Sequence, residues 1–198
     1  MLSYKESLKI LKETKALIEG HFILSSGLHS SKYVQCAQLL SKPNKASKIC
    51  KSLADKINNS FSHFDLILSP AMGGIVIGYE IGRILKKETI FCERVKGKFT
   101  LRRGFNIRKG MNVLIIEDVI TTGKSSLECV RLIKDSKAKL LGFASLIDRS
   151  SKQTLKIKKR IVSQLKISVP AYKKKKLPKN LISIPVTKPG SRFIKWNV

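Results

Sequence analysis

Residues Val113–Glu128 read VLIIEDVITTGKSSLE. Val113, Leu114, Ile115 and Ile116 form a short unbroken apolar run. That is the pattern of a strand covered on both faces, as in a parallel sheet flanked by helices. Glu117 and Asp118 follow where such a strand is expected to end, and ligands of open α/β sheets gather at the carboxyl ends of strands. Thr121, Thr122, Gly123, Lys124, Ser125 and Ser126 then offer hydroxyls, one glycine and a run of backbone N–H groups. A helix is expected from Ser125 to Lys134, and a turn of this kind at a helix N-terminus is a phosphate site. Two acids beside it suit vicinal hydroxyls, a metal ion, or both. A phosphorylated ribose presents all of these together. The plainer alternative is a strand ending in two solvated acids and a Thr/Ser cap. A Walker A loop is excluded, because no glycine stands in the required place before Gly123-Lys124-Ser125.

The chain has 198 residues, enough for one domain with a sizeable core, and 42% of them are apolar. No stretch of eighteen apolar residues suits a membrane span. The opening MLSYKESLKILKETK mixes acids and lysines without the apolar region of a signal peptide, so a cytoplasmic protein is expected. Cys36, Cys50, Cys92 and Cys129 form no C-x-x-C pair, which argues against zinc and for reduced, buried thiols. Forty basic residues against 13 acidic ones give a net charge of +27. Nucleic-acid binding is one reading of that charge. The favoured one is a lysine-rich surface: the lysines are spread along the chain, and the runs Lys156–Arg160 and Lys173–Lys176 lack interleaved aromatics. Such a field would also speed the encounter with an anionic substrate.

Residues 3–18 are expected to be helical, with Leu8, Leu11, Ala16 and Ile18 as an imperfect apolar stripe and Gly20 as the stop. His21–Val34 reads as two short strands around Ser26-Gly27, with His29, taken alone, a surface histidine. Lys45–Asn58 reads as a helix begun by Pro43 and Asn44, with Ile49, Leu53, Ala54 and Ile57 on one face. Phe64–Leu68 is the next strand, and a helix follows through Ile84. Between them, Ala71, Met72, Gly73 and Gly74 form a turn whose glycines either admit an anion close to the backbone or serve geometry alone.

Glu88–Cys92 reads as a strand. The segment Glu93–Lys109, ERVKGKFTLRRGFNIRK, then carries Arg94, Lys96, Lys98, Arg102, Arg103, Arg108 and Lys109 against a single acid. Gly97 and Gly104 give it mobility, and the alternation of Phe99, Leu101, Phe105 and Ile107 suggests partial hairpin pairing. It reads as a loop closing over a polyanion, which would stabilise a departing anion and exclude water. The alternative is a solvated basic hairpin. Leu140–Ile147 is a strand ending in Asp148-Arg149-Ser150. Arg149 there can grip a carboxylate through two parallel hydrogen bonds, or pair with a surface acid. Leu155–Ile157 and Ile161–Val169 read as short strands, Tyr172–Lys179 as a charged loop and Ile182–Val186 as extended.

The segment Val113–Glu128 resembles the motif by which type I phosphoribosyltransferases bind phosphoribosyl diphosphate (PRPP). Phe22–Gln35 matches the pattern FxLxSGxHSxxYxQ, and Thr187–Arg192 the KPGSR tail, of one branch of the orotate phosphoribosyltransferases. This resemblance implies an α/β fold of the type I phosphoribosyltransferase kind: a parallel sheet flanked by helices, with a small hood from about residues 20–36 and a C-terminal contribution. It implies a single domain over 1–198 that converts orotate and PRPP to orotidine 5′-monophosphate and pyrophosphate. By the same resemblance, Glu117, Asp118, Val119, Ile120, Thr121, Thr122, Gly123, Lys124 and Ser125 bind PRPP, with Glu117 and Asp118 on the ribose. Ala71–Gly74 take the pyrophosphate moiety, and Arg94 and Lys98 act from a mobile loop at about 93–109. Lys96, Arg102 and Arg103 are further candidates. Thr121, Arg149, Ser25, Ser26 and Gly27 face orotate. Mg²⁺ is implied as cofactor, bound through the substrate with no direct protein ligand, and a homodimer sharing the loop between subunits is implied as the assembly. This chain departs from many members in lacking a histidine in the loop, and from some in having Ser25 where they have lysine. Rival readings are a phosphoribosyltransferase for another base, and a PRPP-fold regulator that binds nucleic acid without catalysis.

Overall fold

The computed structural model describes residues 1–24, 26–151 and 155–189. Helix α1 spans Tyr4–Glu13 and opens on a capping box: the Ser3 hydroxyl accepts from the Glu6 N–H, and the Glu6 carboxylate accepts from the Ser3 N–H. It ends well before Ile18. The Thr14 hydroxyl donates to the Ile10 carbonyl at 2.8 Å, Lys15 adopts φ 57°, and the Ala16 N–H bonds the Leu11 carbonyl. A lysine thus occupies the left-handed position that glycine usually takes. Gly20, expected to stop the helix, lies inside β1 (Leu17–Ile23).

Strand β1 pairs antiparallel with β2 (His29–Val34), which confirms the expected hairpin, with Gly27 at φ 78° in its loop. A short helix α2 (Cys36–Leu40) precedes α3 (Pro43–Ser60), whose first residue is the proline suited to that position. Then follow β3 (Leu66–Pro70), α4 (Gly73–Leu85), β4 (Glu88–Val95) and β5 (Lys98–Thr100). Gly73 and Gly74 belong to the first turn of α4 rather than to the turn before it. Lys96 and Gly97, at φ 48° and 79°, form the two-residue turn between β4 and β5, which needs positive φ at both positions.

Strand β6 spans Asn112–Ile120, α5 Lys124–Asp135, β7 Lys139–Asp148 and β8 Ile161–Lys166. Glu117 and Asp118 therefore lie within β6, not beyond its end. The parallel ladder to β7 runs on to the pair Ile120–Asp148, and the Arg149 N–H bonds the Ile120 carbonyl at 2.9 Å. Leu155–Ile157 is not a strand. Beyond β8 come a 3₁₀ turn (Lys174–Lys176), α6 (Lys179–Ile182) and β9 (Val186–Thr187), so Ile182, expected to be extended, closes a helix. Residues 190–192 of the KPGSR match lie outside the described residues.

The main sheet has the order β5-β4-β3-β6-β7-β8, parallel except for β5. Its central strand shows why the apolar run is unbroken. Leu114 and Ile116 pack on one side with Ile49, Leu53 and Ile57 of α3 and Ile77 and Ile81 of α4. Val113 and Ile115 pack on the other with Cys129 and Ile133 of α5, and with Phe99 and Ile107. Full burial of each such side chain contributes about 1.5–3 kcal/mol. No helix among the described residues is long and apolar enough to cross a membrane.

A second sheet has the order β2-β1-β9, with β9 parallel to β1. The tail is fastened to the N-terminal hairpin at two further points. His29 and Tyr172 exchange both backbone hydrogen bonds. His21 Nδ1 lies 3.1 Å from the Ile184 carbonyl oxygen, and His21 Nε2 lies 2.7 Å from His29 Nδ1. A carbonyl only accepts, so His21 Nδ1 carries a hydrogen; with His21 neutral, its Nε2 accepts from His29 Nδ1–H. Both rings are buried, so His29 is not the surface histidine expected of it alone.

Candidate active site

The site grows from three strand ends lying side by side. β6 delivers Glu117 and Asp118, β3 leads through Ala71 and Met72 into α4, and β7 ends beside Arg149. The Ala71–Met72 peptide bond is cis. Gly73 faces the Asp118 carboxylate so closely that a Cβ on it would stand 2.6 Å from an Asp118 oxygen. A side chain there would have to push the Asp118 carboxylate aside, so the start of α4 and the second acid of β6 form one wall. The turn after β6 closes on Gly123, whose φ of 72° favours glycine, and α5 begins at Lys124. The Thr122 hydroxyl accepts from the Lys124 N–H at 3.3 Å.

The two acids are held differently. Glu117 is buried; the Ser126 hydroxyl donates to its carboxylate, and the Ser126 backbone N–H also bonds it. Burial dominates and pushes its pKa up to about 7, with the Asp118 charge adding to the rise and the Ser126 hydrogen bonds opposing it. Asp118 Oδ1 accepts from the Val119 N–H at 2.9 Å, and burial raises its pKa as well. Neither acid forms an ion pair among the described residues. Two partly desolvated carboxylates without a cation are a site prepared for hydroxyl donors, a metal ion or developing positive charge.

Arg149 is half-buried, and its Nε hydrogen bonds nothing among the described residues. Burial lowers its pKa, while Tyr33 of β2 favours its charge. It remains cationic at neutral pH. A half-buried guanidinium whose buried Nε has no partner among the described residues, beside the small sheet, fits a carboxylate ligand better than a surface pair with an acid. Ser26 and Gly27 form the tip of the β1–β2 hairpin, and Ser25 lies outside the described residues.

The basic segment is a hairpin followed by a packed strap. Phe99 and Ile107 are buried, and Phe105 meets Phe91 edge-on with ring centroids 5.1 Å apart. Three of its arginines, Arg94, Arg102 and Arg103, are engaged. Arg94 Nη2 pairs with Glu128 of α5 at 2.7 Å, and Arg103 and Arg102 reach Glu93 at 3.1 and 3.8 Å. Lys98 and Lys124 line a shared cleft of about 490 Å³ with Arg131, Lys156 and Glu128. The fold thus joins Glu117, Asp118, Gly73 and the α5 turn directly, whereas Arg94 meets α5 at Glu128 and Lys98 shares the cleft that Lys124 lines. The partnerships of Ser126 with Glu117, Tyr33 with Arg149 and Glu128 with Arg94 escaped the sequence reading: each arises through tertiary packing, with no local pattern to announce it.

The model of the phosphoribosyl transferase domain matches residues 36–174. The chain belongs to this family. As a phosphoribosyltransferase it is 46% identical over 190 residues to an orotate phosphoribosyltransferase of Parvibaculum lavamentivorans, covering 94% of this chain and 97% of the relative. It is 42% identical over 189 residues to one of Erythrobacter litoralis, covering 95% and 97%. Among solved structures, the orotate phosphoribosyltransferase of Aeropyrum pernix superposes with a TM-score of 0.66 at 22% identity, over 80% of this chain and 92% of that one. That likeness establishes the type I phosphoribosyltransferase fold.

Proposed function

We propose that this chain transfers the 5-phosphoribosyl group of PRPP to orotate, giving orotidine 5′-monophosphate and pyrophosphate, a step of pyrimidine nucleotide synthesis. The observation that carries the reading is the pair of carboxylates, buried Glu117 and half-buried Asp118, without ionic partners among the described residues and set against the turn that opens α5. The named relatives at 42–46% identity point to orotate as the base.

In this reading Thr121–Ser125 hold the 5′-phosphate through backbone N–H groups and hydroxyls, with Val119 and Ile120 leading into the turn from β6. Glu117 and Asp118 accept the ribose hydroxyls and favour the positive charge that grows on the ring as the bond from C1 to the pyrophosphate oxygen breaks. The electron pair of that bond leaves with pyrophosphate, received by the turn into α4 (Ala71–Gly74) and by Arg94 and Lys98. Arg149, with Thr121, Ser25 and the hairpin-tip residues Ser26 and Gly27, orients orotate so that a ring nitrogen forms the new bond to C1. Orotate is already an anion, so positioning and electrostatics supply most of the acceleration. The two carboxylates fit Mg²⁺, which when bound would neutralise charge on the leaving group. Among the described residues no third acid, histidine or cysteine joins them, so substrate and water would supply most of its oxygens. For the assembly we propose a homodimer, with the exposed Met72, just before α4, and Val76 and Tyr79 of α4 as its apolar contact.

The direct test mixes the protein with orotate, PRPP and Mg²⁺ and follows orotate absorbance together with pyrophosphate release, with adenine, hypoxanthine and uracil in parallel. Turnover with orotate alone is expected. Turnover with another base instead would overturn the assignment of the base and keep the PRPP site. Inactivity in all four, with salt-sensitive RNA binding, would favour the regulator.

A pH dependence follows from Glu117. Its ordinary pKa is 4.5 and its folded value about 7, so the folded protein holds a proton across that window that the unfolded chain releases. Its contribution to stability therefore falls as pH rises from 4.5 to about 7. Activity runs the other way, because the ionised form accepts ribose hydroxyls. The kcat/KM for PRPP should show an acid limb near pH 7, where Glu117 titrates. The limb should vanish in Glu117→Gln; its persistence in the variant would assign it to another group.

A further inference from the structure

We propose that Glu128 is a positioning residue that keeps Arg94 parked on α5 until pyrophosphate-bearing substrate takes the arginine over. The proposal rests on the reading of Arg94 as a partner of the pyrophosphate group, and adds a resting partner that competes for it.

Three contacts define the parked position. Arg94 Nη2 donates to Glu128 Oε2 at 2.7 Å, and Arg94 Nη1 donates to the Gly97 carbonyl at 2.6 Å. The guanidinium carbon sits 4.1 Å from the centroid of the Phe99 ring, which is itself buried and faces Arg94 across the hairpin. The two hydrogen bonds engage one N–H on each outer nitrogen, and the Phe99 ring covers one face of the plane. A diphosphate that takes both outer nitrogens must therefore compete with Glu128 and the Gly97 carbonyl for them.

The charges around Glu128 give the contact its meaning. The cleft beside it is lined by Lys98, Lys124, Arg131 and Lys156, and Glu128 is the one acid in that lining. A surface built only to attract polyanions would gain nothing from a carboxylate there. Glu128 also stands four residues after Lys124 on α5, so it and the opening of the phosphate turn share a helix face. The Arg94 and Glu128 side chains are 41% and 30% exposed, and a pair that open to solvent is worth only about 0.2–1 kcal/mol. That suits a contact to be exchanged: strong enough to order an unliganded arginine, weak enough for a multiply charged anion to displace. A ligand shifts such an equilibrium only by its differential affinity, and pyrophosphate meets that condition if it binds the freed arginine and not the parked one.

Removing the competitor should therefore tighten the binding of pyrophosphate. In Glu128→Gln, the KM for PRPP and the dissociation constant of Mg²⁺-pyrophosphate, read by calorimetry, should both fall about 2–5-fold. kcat should stay level or drop as pyrophosphate release slows. Arg94→Ala and the double variant make the result decisive. Arg94→Ala should weaken pyrophosphate binding, and adding Glu128→Gln to it should bring no improvement. If Arg94→Ala leaves pyrophosphate binding unchanged, the assignment of Arg94 to pyrophosphate fails. If Arg94→Ala weakens binding but Glu128→Gln leaves it unchanged or weakens it, the parking role alone is overturned. If Glu128→Gln tightens binding equally in the Arg94→Ala background, the gain is general loss of negative charge and the parking role is overturned again.

Discussion

Replacing Asp118 by Asn is expected to lower kcat by about 10²–10³-fold, the scale of losing one preorganised electrostatic partner of a transition state. The KM for PRPP should move by less than about threefold, because the ribose hydroxyls still find an amide oxygen and the phosphate turn is untouched. Asparagine keeps an Oδ1 to accept from the Val119 N–H, the hydrogen bond Asp118 makes at 2.9 Å. It also avoids crowding Gly73, since its shape matches that of aspartate. Burial raises the Asp118 pKa, so the buried charge opposes folding, and the variant should melt no lower than the parent. A variant with unchanged turnover would remove Asp118 from the chemistry. One that loses kcat together with melting temperature would indicate a fold defect instead.

Arg149→Ala should have the second large effect, in a different parameter. The guanidinium has a buried Nε with no partner among the described residues and is half-buried beside Tyr33. Truncating one member of a buried charge pair costs about 2–5 kcal/mol, so the KM for orotate should rise by at least about 30-fold and binding of PRPP alone should not change. Without a ligand the Nε–H has no partner among the described residues and burial disfavours the charge, so removal of the side chain should leave the free protein as stable as before or more so. Arg149→Lys should recover only part of the loss, because an ammonium lacks the planar fork. Equal orotate affinity in Arg149→Ala would mean that another group holds the base.

The parts of the molecule legible in its sequence are those whose signal is local. Val113–Ile116 announced a doubly covered strand because both of its faces meet helices or the basic strap, and the turn at Thr121–Gly123 carried its own chemistry. The hairpin at Ser26-Gly27 was legible because positive φ needs such residues. Reading failed where geometry overrode composition. Lys15 ends α1 in a conformation that points to glycine, so Gly20 drew the boundary too far along the chain. The strand holding Glu117 and Asp118 outran its apolar run, because the ladder to β7 continues through polar residues. The partners of the site residues, Ser126 for Glu117 and Glu128 for Arg94, arise from packing of α5 against β6 and the hairpin. The buried His21–His29 pair owes its surroundings to a tail that returns from the other end of the chain.

That return has a consequence for the order in which the molecule can be built. Strand β1 is among the first elements to be synthesised, yet one of its neighbours is β9, and His21 meets Ile184 across a sequence separation of 163 residues. Contacts of such range form late, after nearer ones have reduced the entropy of closing the loop. During synthesis the main sheet can assemble while the N-terminal hairpin waits, half-paired, for the last residues to arrive. The order of completion thus inverts the order of translation: the phosphate-binding framework is ready first, and the region proposed to cover the base is finished last.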